Sequence, residues 1–111
     1  MKIWSIDENS IVFDNGNAIS YDHLCDCCEW NYADFKAIDD TAKSFDFDED
    51  LKFEEVPDCG FRFGNRAGNM VFVPCYSVQN GYYSSDVDIY YNEKQVLNVA
   101  CEMNDDWYGE I

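Results

Sequence analysis

Basic residues are scarce in this chain. Seven lysines and arginines stand against 23 aspartates and glutamates, with a single histidine, and the net charge is -16. Such a chain repels the phosphates of nucleic acids and anionic lipid, which excludes direct binding to either by charge. The same field attracts basic protein surfaces and speeds encounter with them. Long apolar runs are also missing: nothing approaches the roughly 18 consecutive residues of a membrane span, and Met1 to Asp7 holds no apolar stretch of signal-peptide length. The expectation is a cytoplasmic protein in a reducing compartment. No internal repeat, low-complexity tract or second domain is visible, so residues 1–111 are read as one domain, with a monomer favoured.

What is present argues for folding. Apolar residues make up 47% of the chain, and eight Tyr, eight Phe and three Trp are too many for a disordered acidic tail. The core is modest, because a domain of this size buries only about two-thirds of the surface its unfolded chain exposes. Ile11 to Phe13 and Ala18 to Tyr21 flank Asp14-Asn15-Gly16-Asn17, which predicts a hairpin, with Asn-Gly suited to a type I′ turn. Leu24, Cys28, Tyr32 and Phe35 fall at roughly helical intervals and predict a short helix up to Ile38.

Residues 39 to 58 hold nine acids and read as an exposed connection with at most a short strand near Leu51 to Val56. Beyond it the apolar period is two, with Phe61 and Phe63, Met70 to Tyr76, and a last hairpin of Tyr82 to Tyr91 and Val96 to Cys101 around Asn92-Glu93-Lys94. The predicted class is therefore α+β, an antiparallel sheet with one short helix.

The densest chemistry is Tyr21-Asp22-His23-Leu24-Cys25-Asp26-Cys27-Cys28-Glu29, where the histidine stands among three of the six cysteines. In a reducing compartment, metal binding or plain burial is favoured over disulfides. Zinc takes four nitrogen and sulfur ligands tetrahedrally, and His23 and Cys27 share a face whether the segment is helical or extended. The candidate ligands are His23, Cys27 or Cys28, Cys59 before a glycine, and Cys75 after a proline; Cys101 reads as a buried small hydrophobe. Reduced structural cysteines and redox use are the alternatives, since the spacing is not a double C-x-x-C. A four-ligand zinc would be structural, with no open position for a reacting water.

Asp46, Asp48, Glu49, Asp50, Glu54 and Glu55 are the candidate partner-binding acids. The run from Asp46 mimics the start of a calcium loop, but Leu51 occupies the sixth position, where glycine is needed, and Pro57 the twelfth, where glutamate is needed. An EF-hand is excluded. Nucleophile elbow, phosphate loop and H-E-x-x-H are all missing, so the chain is read as a binding protein and not an enzyme.

His23-x-x-Asp26-Cys27-Cys28-Glu29 and the later Asn80-Gly81-Tyr82-Tyr83-Ser84 resemble the pattern of a family of small phage and prophage proteins. In that family a tryptophan tends to stand a few residues before the tyrosine string; here Cys75 does, so a Cys75 ligand is not inherited from it. The chain as a whole, by its acidity and cysteine content, is similar to the zinc-containing phage anti-CRISPR proteins that inhibit type II-A Cas9. That resemblance implies stable association with Cas9 in the bacterial host, on a basic surface of its recognition lobe, so that target DNA is not loaded. Cas9 holds its guide heteroduplex in a positively charged channel, for which an acidic body can compete without chemistry. The alternative is a zinc-stabilised phage accessory or structural protein with no Cas9 role.

Overall fold

A computed structural model describes residues 1–22, 29–68, 70–79 and 86–104. They form ten strands in two sheets. The first sheet holds β1 (Ile3–Ile6), β2 (Ser10–Phe13), β3 (Ala18–Asp22), β8 (Asp86–Tyr91) and β9 (Lys94–Ala100), in that spatial order and antiparallel throughout. The second is inserted in sequence between β3 and β8. It holds β4 (Glu29–Ala33), β5 (Lys52–Val56), β6 (Gly60–Gly64) and β7 (Met70–Gln79), and β10 (Glu102–Asn104) returns to it after β9.

Alternation decides which faces meet. Ile11 and Phe13 of β2, Ile19 of β3, Val87 and Ile89 of β8 and Val99 of β9 are buried on one side of the first sheet, while Phe61 and Phe63 of β6 and Val71, Val73 and Cys75 of β7 are buried on one side of the second. These residues belong to one core, and the Phe13 and Phe63 rings cross between the sheets edge to face at 6.4 Å. The last hairpin turns on Asn92 and Glu93 alone, both at positive φ (52° and 71°), which is the type I′ geometry. At the first hairpin the strands pair as expected, but only Gly16 has positive φ, and its N–H donates to the Phe13 carbonyl at 3.0 Å. That loop is a turn closed by a left-handed glycine and not a type I′ turn.

β7 organises the second sheet. Its first half pairs with β6 and its second half with β4, both antiparallel, while β10 joins it in parallel. The Asp34 N–H donates to the Pro74 carbonyl and the Cys75 N–H to the Cys59 carbonyl. The C=O and N–H of this one trans peptide group point in opposite directions, so β4 and β6 flank β7 on opposite sides. Pro74, which has no N–H to give, thus sits where the β4 ladder stops and the chain turns into a 3-10 turn at Phe35–Ala37.

The fold is mostly β, which corrects the α+β expectation. Among the described residues the helical content is confined to 3-10 turns at Phe35–Ala37 and Asp40–Ser44. The helix expected from Leu24 to Ile38 is a strand from Glu29 to Ala33 followed by the first of these turns, and Leu24 to Cys28 lie outside the described residues. A spacing of four between Leu24, Cys28 and Tyr32 satisfies a period of two as well as one of 3.6, and Trp30 and Tyr32 favour the extended form.

Candidate partner-binding surface

The acidic connection is anchored from beneath. Phe47 and Leu51 are buried, and the Phe47 ring packs against Phe13 (5.8 Å), Phe45 (6.1 Å) and Phe63 (5.6 Å). Its backbone is tied on several sides. Asn65 accepts from the Asp48 N–H at 2.7 Å and donates to the Asp46 carbonyl at 3.0 Å, and the Tyr91 hydroxyl donates to the Glu49 carbonyl at 2.8 Å. The amino group of Met1 donates to the Phe47 carbonyl at 2.7 Å and to the Asp46 carboxylate at 3.0 Å. With apolar side chains inside and backbone groups paired, the four carboxylates of Asp46, Asp48, Glu49 and Asp50 all stand in solvent.

They are not equivalent. Asp46 carries the Met1 ammonium, and Glu49 accepts from the Asn15 side-chain amide at 3.2 Å. Asp48 and Asp50 have no side-chain hydrogen bond or ion pair among the described residues.

Glu54 and Glu55, expected on the same surface, do other work on β5. Glu54 lies between Lys52 (3.1 Å) and Arg62 (2.8 Å), on the outer face of the second sheet. The hydrogen bond and charge of Lys52, with Arg62 behind them, hold its carboxyl below the ordinary glutamate value. Glu55 reaches across to accept the Ala100 N–H at 2.9 Å, which fastens β5 to the end of β9. Its carboxylate is a backbone acceptor between the sheets. The acids on β8 are likewise engaged: Asn98 donates to Asp86 at 2.7 Å and to Asp88 at 2.9 Å, and Gln95 adds a bond to Asp88 at 3.3 Å.

Of the candidate zinc ligands, His23, Cys27 and Cys28 lie outside the described residues. The other two are neighbours through the Cys75 N–H bond to the Cys59 carbonyl, but their thiols lie in different surroundings. Cys59 is exposed at the turn before β6, whereas Cys75 is fully buried in β7 beside Cys101. The parallel register that sets Glu102 against Tyr76 places Cys101 against Cys75, one residue earlier. A hydrogen bond to Cys101, reinforced by burial, pushes the Cys75 thiol far up, so it remains a neutral core thiol. Among the described residues no three His, Cys, Asp or Glu side chains converge as a metal site.

Gly60 between Cys59 and Phe61 is required by close approach. A Cβ there would collide with the Val73 carbonyl oxygen and lie 2.9 Å from the Pro74 Cα.

A second negatively charged surface, a cleft between the β1–β2 turn and the end of β4, has no signature in the sequence, because its residues come from three separate segments. Among the described residues no helix is long and apolar enough to cross a membrane. No family model, curated protein or solved structure matches the chain.

Proposed function

We propose that the chain is a non-enzymatic phage inhibitor that binds type II-A Cas9 and prevents loading of target DNA. The observation that carries the reading is the fixed loop of Asp46, Asp48, Glu49 and Asp50, whose carboxylates project into solvent from a backbone held by Asn65, Tyr91 and Met1. A rigid negative surface meets a basic channel without first ordering a loop, so less of the interaction is lost to conformational entropy. Its long-range field raises the rate of encounter, while packing around it fixes the pose. The similarity to zinc-containing anti-CRISPR proteins supplies the partner, and the charge supplies the mechanism. In this reading the protein acts in the host cytoplasm and carries one structural zinc, with His23, Cys27 or Cys28 and the exposed Cys59 as three of its ligands; with Cys75 held in the core by Cys101, the second thiol of the Cys27–Cys28 pair would be the fourth.

The test is a pull-down on Cas9 with and without guide RNA at low and raised salt, combined with mobility shifts of target DNA on the preassembled complex. Loss of DNA loading at saturating inhibitor supports the proposal. Undisturbed loading, or no association with Cas9 at any salt, refutes it. Elemental analysis of protein purified without chelator tests the metal: zinc near one equivalent is expected, and its absence removes that part of the reading.

A further inference from the structure

Glu8, Asn9, Tyr21, Tyr32, Asp34 and Lys36 line a cleft of about 430 Å³. That is at the small end for a ligand pocket and ample for one long side chain. Its walls are well supported. Asp7 closes the β1–β2 turn by accepting the N–H groups of Asn9 (2.8 Å) and Ser10 (2.9 Å), which sets Glu8 and Asn9 at the rim. Tyr21 packs edge to face on the buried Phe35 at 5.8 Å, and Tyr32 packs on Tyr76 at 5.7 Å.

Among the described lining residues the charge is unbalanced, two carboxylates against one ammonium. Lys36 lies 3.9 Å from Glu8, with both side chains largely in solvent, so this pair is weak. Asp34 is half-buried, makes no capping bond to its own 3-10 turn, and has no side-chain hydrogen bond or ion pair among the described residues. Burial, and then the charge of Asp34, raise the Tyr32 phenol above its ordinary value, so it stays a neutral ring. Two phenol rings and a partly buried carboxylate with no cation of its own among the described residues form a receptor for a cation. Arginine suits it better than lysine, because a planar guanidinium can stack on tyrosine and present two donors to a carboxylate together.

We propose that this cleft receives an arginine side chain of the basic partner, with the guanidinium on the Asp34 carboxylate between Tyr21 and Tyr32. The proposal rests on the reading that the partner is basic, but not on its being Cas9.

The probe is N-acetyl-argininamide, titrated at constant ionic strength into labelled protein and followed by backbone amide shifts. The expected result is weak, saturable binding, on the order of millimolar, with the largest shifts at Tyr21 and from Tyr32 to Lys36. The neutral isostere N-acetyl-citrullinamide should leave these amides unmoved. Asp34→Asn should weaken binding by about fivefold or more, and Lys36→Met, which removes a competing cation, should tighten it by about twofold. Shifts centred on residues 46–50, equal binding of the citrulline compound, or unchanged affinity in both variants would overturn the proposal. If argininamide does not bind the cleft while Cas9 is still captured, this inference falls alone; if it binds and Cas9 is not captured, the cleft stands and the Cas9 reading falls.

Discussion

The carboxylates of the 46–50 loop and those of the strands have the same chemistry and opposite uses. On β5 and β8 each described acid meets a donor of the fold: Glu54 between Lys52 and Arg62, Glu55 on the Ala100 N–H, and Asp86 and Asp88 on Asn98. In the loop the order is reversed. Backbone and apolar side chains are fixed, and the charged groups are left over, Asp48 and Asp50 most completely. A net charge of -16 is therefore not a uniform field available to a partner; part of it is already committed to holding strands together. Under the proposed reading, the acids left for a partner are those without a role in the fold.

The largest effect should come from neutralising Asp46, Asp48, Glu49 and Asp50 together. Association with guide-loaded Cas9 should slow by about tenfold at low salt and lose most of its dependence on ionic strength, with dissociation little changed. Stopped-flow mixing across a salt series measures this. Neutralising Asp48 and Asp50 alone should reproduce more of the effect than neutralising Asp46 and Glu49.

Next in size is Glu55→Ala, expected to cost about 1 kcal/mol of folding stability by leaving the Ala100 N–H without its acceptor. Glu55→Gln should restore most of it, because the bond needs an oxygen and not a charge. Denaturant unfolding of the pair decides between the two roles, and a slower association in Glu55→Gln would show that this carboxylate also takes part in recognition.

Tyr91→Phe removes the hydroxyl that donates to the Glu49 carbonyl and accepts from Asn17 at 2.9 Å. A loss of about 0.5–1 kcal/mol is expected. Amide exchange from Asp48 to Asp50 should rise as the loop loses its tie to the first sheet.

The smallest effect should be that of Glu54→Gln, a slight lowering of the melting temperature at neutral pH that closes as the pH falls. Its signature is in acid. Because the folded carboxyl lies below its ordinary value, its contribution is complete above the unfolded pKa and is lost as pH falls through the folded one. The variant should therefore lose less stability than the parent over that acid interval.

The legible parts of the fold were those with local signals. A period of two located β6, β7 and β8, and turn chemistry located both hairpins, although the type I′ turn formed at Asn92-Glu93 and not at Asn15-Gly16. β4 was misread because a spacing of four fits both periods. The parallel pairing of β10 with β7 has no local signal, since nothing within Glu102–Asn104 specifies a partner so far back in the chain. Exposure of Asp46, Asp48, Glu49 and Asp50 was legible from polarity. That Glu55 would accept from Ala100, or that Asp34 and Glu8 would line one cleft, depends on tertiary approach and has no local signal.

The central position of β7 also orders events in time. Its partners β4 and β6 are synthesised before it and β10 after it, and β3 likewise waits for β8. At about 5–20 residues per second the early strands spend seconds outside the ribosome with open edges. Non-local pairing of this kind is slow, and exposed edges invite association between nascent chains. The acids from Asp39 to Asp58 emerge in that interval, between the early strands and β7. Like charge on that stretch opposes contact between unfinished chains before β7, on which β4, β6 and β10 all pair, has been made.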